Sequence, residues 1–395
     1  MGRGNRRGPG RLTASVLLAG LLVTPTACAG GPAADRAAQL APGGPPAAPE
    51  DLLPDEVEGG DPTAPPEAGD PGEGEPEPAP EPTEPPPPPA EGSAEVVETV
   101  TLPGIGAPVG PAVLPDGDLL IGSRTTGTIH RVSPTTGDIT EVGTVPGLVT
   151  EGEGGLLGLT FEAGFVYAYY STLSDNRVSR FLLREERAEG SRIGVPDHVI
   201  TRLPHGPVRN GGALGFGPDG LLYTGTGEAG SGADPEDPEE LAGRVLRTTA
   251  EGRNPAVENA APGSPVFSVG HRNVTGLTWD ALGRVWILED DGAIHRPPTD
   301  GEGGVEDGRP TDPVIELPVA GAGMAWSEGS LWAVDRTDGS LYRVPLDGTE
   351  PFAPDQRFPL PGDKGARGLV AAPGEGLWAL TETVTGGRLL LLEID

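Results

Sequence analysis

The chain of 395 residues has a single cysteine, Cys28. It can therefore form no disulfide within itself and no cysteine-based zinc or iron–sulfur centre. Positive charge is scarce: 27 lysines and arginines stand against 59 aspartates and glutamates, Lys364 is the sole lysine, and the formal net charge is −32. Such acidity excludes non-specific binding to nucleic acid or to an anionic membrane, and its self-repulsion favours a monomer. Aromatic residues make up only 4%. Helical periodicity is missing too: no stretch sustains it beyond one or two turns, and Asp237 to Leu246 comes nearest. What the chain has in excess is backbone punctuation, with 64 glycines and 47 prolines, more than twice ordinary usage. These are unevenly spread, so part of the chain is expected to be unfolded and the rest rich in turns.

Residues 1–28 have the layout of a signal peptide. Arg3, Arg6, Arg7 and Arg11 precede the apolar run Leu12 to Val23, which Pro25 breaks too soon for a spanning helix. The small residues before Cys28 resemble a bacterial lipobox, in which the cysteine carries a lipid anchor, although Pro25 stands where an aliphatic residue is usual. Ordinary secretion is the alternative. Either reading makes the protein extracytoplasmic, as a cell-surface lipoprotein or a secreted chain, with membrane contact only through a lipid on Cys28. Residues 29–94 are dominated by Pro, Ala, Gly and Glu and contain no aromatic residue. Such a segment buries too little apolar surface to offset the entropy of ordering, so a disordered acidic linker is expected, extended by proline and carboxylate repulsion.

Residues 95–395 repeat. Six times an apolar strand, a tight turn rich in Gly, Asp or Glu, and a second strand rich in Leu, Trp or Tyr follow one another, at 111–121, 157–168, 212–223, 276–286, 323–332 and 368–378. The spacing of roughly 45 to 60 residues is that of a four-stranded propeller blade. Third strands follow several copies, as at Thr128–Val132, 177–181 and 340–344. The expected fold is all-β, a six-bladed β-propeller closed around a channel. Val96 to Val100 and Leu389 to Ile394 are expected to share one blade, so that no strand edge stays open. A β-sandwich does not repeat at this period.

Three segments go beyond a generic propeller: Thr150-Glu-Gly-Glu-Gly-Gly-Leu-Leu-Gly158, Asn210-Gly-Gly-Ala-Leu-Gly-Phe-Gly-Pro-Asp-Gly-Leu-Leu-Tyr-Thr-Gly-Thr-Gly227 and Val269-Gly-His-Arg-Asn-Val-Thr-Gly-Leu277. With them, the chain from about residue 96 onward resembles the soluble quinoprotein glucose/sorbosone dehydrogenase family. The resemblance implies pyrroloquinoline quinone (PQQ) over the channel, calcium beneath it, and oxidation of a sugar's anomeric hydroxyl, with a histidine taking the proton while hydride passes to the quinone. It places Arg272 and Asn273 against the cofactor, together with Asn210 of Asn-Gly-Gly. Arg367 matches the second arginine of the family's Gly-Arg-x-Arg-Asp segment, Arg336 lies near another basic contact, and Glu153 falls where many members line the channel. A cofactor with three carboxylates calls for such cations, and arginine suits planar bidentate pairing. His271 reads as a packing residue between blades.

The departures are as informative. The family's catalytic histidine directly precedes Asn-Gly-Gly, and here that position is Arg209, which stays protonated and cannot accept the substrate's proton. His205, four residues upstream, is a substitute candidate. The family's calcium loop carries an Asp-Glu pair that is missing after Glu289-Asp290-Asp291; those three carboxylates are the candidates for a metal, since calcium needs several oxygen ligands. The first arginine of Gly-Arg-x-Arg-Asp is Gly365, and its aspartate is Gly368. Two readings compete on these residues: a PQQ-dependent sugar dehydrogenase with an altered base, Glu153 or solvent taking the proton, or a surface-anchored propeller that binds a carbohydrate or other ligand and has lost the redox chemistry. A purely structural adhesion propeller is the third.

Overall fold

Each of the six repeats folds as the first hairpin of an antiparallel sheet, four-stranded in five blades and five-stranded in the other. Turn chemistry starts them: the Asp116 and Asp219 carboxylates accept the backbone N–H groups of Asp118 and Leu221, two residues on, at 3.2 and 3.1 Å. The computed structural model describes residues 83–230, 240–256, 259, 263–297, 312–362 and 364–395. The expected signal peptide, Cys28 and most of the expected linker lie outside these residues.

Blade 1 is built from Pro108–Val113, Leu119–Ser123, Thr128–Val132 and Ile139–Thr144, and blade 2 from Leu156–Glu162, Phe165–Ser171, Asn176–Leu182 and Asp197–Leu203. Blade 3 has Leu214–Phe216, Leu222–Gly225, Arg244–Thr248 and Val266–Val269; blade 4 has Val274–Trp279, Val285–Glu289, Ala293–His295 and Ile315–Glu316. Blade 5 has Gly321–Ser327, Ser330–Asp335 and Leu341–Asp347, with Glu350–Pro351 and Gln356–Phe358 both pairing on the third strand. Blade 6 joins the two ends of the domain: Ala366–Ala371, Leu377–Thr383 and Gly386–Ile394 are completed by Ala94–Pro103, which pairs antiparallel with Gly386–Ile394. The closure expected from the terminal strands is thus the one observed.

First strands of neighbouring blades pack on one another around the whole ring. The core is correspondingly divided into six apolar clusters, one at each interface between blades. Trp286, for example, packs with Met324 and Leu331 between blades 4 and 5, and Val100 and Leu102 pack with Leu119 and Ile121 between blades 6 and 1. Burial is therefore shared along the chain, and the last interface forms only when the first and last strands meet.

The segment with the nearest approach to helical pattern enters a strand at Arg244, and the described residues contain no helix; buried on both faces (every residue of Arg244–Thr248 is buried), it pairs between two strands of blade 3. One expectation, the extent of the linker, needs correction. The last residues of the expected linker are ordered against the propeller. Arg284 pairs with Glu84, Pro88 packs on Gly329, and the buried Arg343 donates to the carbonyls of Pro89 and Ala90 at 2.9 and 3.4 Å. The domain boundary accordingly lies ahead of residue 94. Composition could not reveal this, because the docking depends on particular acceptors rather than on apolar content.

Candidate active site

Antiparallel pairing sends each first strand away from one end of the ring and brings the second strand back to it. The loops that enter first strands and those that leave second strands therefore gather at the same end. A cavity of about 540 Å3 opens there, lined by all six blades, within the roughly 300–1,000 Å3 usual for small-ligand clefts. Its walls are the aliphatic side chains of first strands, among them Leu157, Leu214 and Met324. Its charged and amide side chains are Arg124, Glu153, Asn210, Asn273, Arg336, Arg367 and Glu382.

Arg367 enters the first strand of blade 6. It is held by four contacts: Nε donates to Glu382 at 2.8 Å, Nη1 to the carbonyls of Arg336 and Ala366 at 2.8 Å each, and Nη2 to that of Lys364 at 2.9 Å. Arg336 leaves the second strand of blade 5, and its guanidinium has no hydrogen bond or ion pair among the described residues. Arg124 leaves the second strand of blade 1 and donates to the Gly154 carbonyl at 2.8 Å. Three blades thus bring a guanidinium to one cavity.

The two glycine departures have a steric cause. A Cβ on Gly368 would lie 1.8 Å from the Gly110 carbonyl oxygen, and one on Gly365, whose φ is +85°, would lie 1.9 Å from the Arg336 oxygen. Neither position has room for the arginine or aspartate of the family pattern.

The amides are spent within the protein. Asn210 is buried; its Oδ1 accepts from Asn176 Nδ2 and the Gly206 N–H, both at 3.0 Å, while its Nδ2 donates to the Gly206 carbonyl at 2.9 Å. Asn273 accepts the Gly211 N–H at 2.9 Å and donates to Asp290 at 3.0 Å. Both tie the walls of neighbouring blades together.

Arg209 and Arg272 sit beside the cavity but do not line it. Arg209 has a left-handed backbone, φ +55°, its N–H donates to Glu153 at 2.8 Å, and its guanidinium pairs with Glu228. Arg272 is exposed, with Nε 4.0 Å from the same Glu228 oxygen. His205 is half-buried with Nε2 unpartnered, and it too stands off the lining. No histidine lines the cavity.

Glu289, Asp290 and Asp291 do not gather around one centre. Glu289 is buried, with His271 and His295 on one oxygen and the Arg272 and Asn273 N–H groups on the other. Burial alone would raise its carboxyl, but these hydrogen bonds hold it well below the usual carboxylate range. Asp290 accepts from Asn273, and Asp291 accepts the Ala293 N–H in its turn. His271 is buried between blades 3 and 4, as expected, and burial pushes its imidazole down.

Sequence reasoning missed Arg124, Glu228 and Glu382. Arg124 was within reach, since Ser123-Arg124 ends the second strand of repeat 1 as Asp335-Arg336 ends that of repeat 5.

A sequence profile of the glucose/sorbosone dehydrogenase family matches residues 105–293. The chain is 39% identical to the aldose sugar dehydrogenase of Streptomyces coelicolor, solved in its PQQ-bound form, with a TM-score of 0.70 over 78% of this chain and 100% of that one. A putative oxidoreductase (glucose dehydrogenase) of Thermus thermophilus is 27% identical, with a TM-score of 0.64 over 76% and 100%. Quinoprotein glucose dehydrogenase B of Acinetobacter calcoaceticus is 26% identical over 247 residues, 54% of this chain and 48% of that protein. The chain spans about half the length of the curated relatives it matches.

Proposed function

Because the chain belongs to the glucose/sorbosone dehydrogenase family, we propose that it is a PQQ-dependent aldose dehydrogenase whose axial cavity holds the cofactor. The observation that carries this reading is the convergence of Arg124, Arg336 and Arg367, from three blades, on one cavity. PQQ is flat and carries three carboxylates, so the donor set fits it: three planar cations, two of them already oriented by the protein and one without an internal partner. When bound, the cofactor supplies a quinone able to accept hydride from a sugar's carbinol carbon.

The proton of the sugar hydroxyl needs its own acceptor. Arg209 cannot serve. Among the described residues two carboxylates line the cavity, and Glu382 is held by Arg367 and Lys364. Among the same residues Glu153 accepts the Arg209 N–H and nothing else. We assign proton removal to Glu153, with the Arg209 backbone fixing its carboxylate. The carboxylates named for a metal, Glu289, Asp290 and Asp291, do not meet at a common centre and so assemble no calcium site among themselves. The substrate is a small sugar, and the chain acts as an extracytoplasmic monomer, anchored by a lipid on Cys28 or secreted.

A dye-reduction assay with aldoses on the PQQ-supplemented chain tests the reading. Wild type should turn over, Glu153→Gln should lose about 10²–10⁴-fold, and Arg209→His should gain activity. The arginine at the base position also favours a second reading, a carbohydrate-binding propeller without redox chemistry. In that case sugar binds calorimetrically while PQQ neither binds nor supports dye reduction.

A further inference from the structure

One buried cluster is left unused by this chemistry. His271 lies between blades 3 and 4, Glu289 ends the second strand of blade 4, and His295 ends its third. They are 5%, 4% and 8% exposed. His271 Nδ1 and His295 Nε2 each lie 3.1 Å from one atom, Glu289 Oε1. Among the described residues this is the group of three or more potential ligand side chains whose donor atoms come together, all within 4.8 Å of one another.

We propose that His271, Glu289 and His295 form a structural site for a zinc-class divalent cation. Bonds from such a cation to imidazole nitrogen and carboxylate oxygen are about 2.0–2.1 Å. With arms of that length, a nitrogen–oxygen separation of 3.1 Å subtends roughly 98° at the metal, close to tetrahedral, and the two imidazole nitrogens, now within 4.8 Å of each other, settle at about 3.3 Å when both bind. Two imidazoles with one carboxylate select zinc, cobalt or nickel over calcium and magnesium, which take oxygen ligands.

The surroundings are those of a built site. His271 Nε2 lies 2.8 Å from Ser268 Oγ, so a proton on Nε2 donates there and leaves Nδ1 free to ligate. The second Glu289 oxygen accepts the N–H groups of Arg272 and Asn273 at 2.8 and 3.4 Å, which orients the first oxygen toward the imidazoles. The site would clip the segment carrying Asn273, a cavity wall, to the strands of blade 4. It stands independently of the dehydrogenase reading.

The test uses the tag-free full chain, stripped with chelator and free of PQQ and sugar, titrated with zinc(II) and cobalt(II). One equivalent should bind, cobalt should develop the visible absorption of tetrahedral coordination, zinc should raise the thermal midpoint, and calcium should not compete. His295→Gln, checked for folding by circular dichroism, should lose the equivalent and the cobalt bands. Failure of wild type to bind either metal at micromolar concentration overturns the proposal, as does binding that survives in folded His295→Gln. Should that variant not fold, the wild-type cobalt spectrum decides alone, and a spectrum of all-oxygen octahedral coordination overturns it.

Discussion

Arg336→Met isolates what the cationic cavity is for. The guanidinium lines the cavity without a hydrogen bond or ion pair of its own among the described residues, so its removal leaves no protein acceptor unsatisfied. Stability should therefore stay within about 0.5 kcal/mol of wild type, the usual range for surface changes. A charge-assisted hydrogen bond to a ligand carboxylate contributes about 1.5–3 kcal/mol, and each 1.4 kcal/mol is about tenfold in affinity. PQQ should then bind about 10- to 150-fold more weakly. Arg367→Met should behave differently, because it deletes four contacts that hold the mouth together and should lower the thermal midpoint as well. The assay is calorimetric titration of both variants with PQQ, beside thermal denaturation. If Arg336→Met binds as tightly as wild type but melts earlier, the residue is structural and the reasoning fails.

Gly368→Ala should cost about 3 kcal/mol or more, since its Cβ would meet the Gly110 oxygen at 1.8 Å; the urea midpoint reads this, and an unchanged midpoint would mean that blades 6 and 1 are not so closely apposed. Arg343→Leu removes the donor to Pro89, Ala90 and Gln356, so residues 83–93 should become readily cleaved in limited proteolysis, with about 2–3 kcal/mol lost. Asp335 is a pH-sensitive carboxylate of blade 5. Burial would raise its carboxyl, but bonds from Thr337 and from the N–H groups of Asp338 and Ala320 hold it low. Its contribution is thus full above the unfolded-state value of about 3.9 and is lost as pH falls through the lower folded value. Asp335→Asn should cost about 1–3 kcal/mol at pH 7 and show a shallower loss between pH 4 and 2 in urea titrations.

The fold was legible because its signals are local and repeated. Asp116-Gly117 and Asp219-Gly220 make turns by their own chemistry, and Val96–Val100 had only Leu389–Ile394 left to pair with. The site was less legible because the ring, not the neighbouring sequence, assembles it. Arg124 lies one residue and Glu228 three residues beyond second strands, Glu382 lies within one, and nothing in the local pattern marks them or the partners they meet, 15 to 44 residues away. By motif Arg209 holds the family's catalytic-histidine position and Arg272 a cofactor contact, yet Glu228 draws both guanidinium groups to the side of the cavity. His295 carried no signal at all. Its proximity to Glu289 follows from the pairing of the second and third strands of blade 4, a register that the sequence does not announce.

The proposed oxidation of sugar at this cavity is testable without any external acceptor. Mixing the PQQ-loaded chain with excess aldose under anaerobic conditions, and following the cofactor's absorbance through a single turnover, should show reduction stoichiometric with bound PQQ in wild type and greatly slowed in Glu153→Gln. If the cofactor is bound and its spectrum stays unchanged across a panel of aldoses, the protein is not the dehydrogenase proposed.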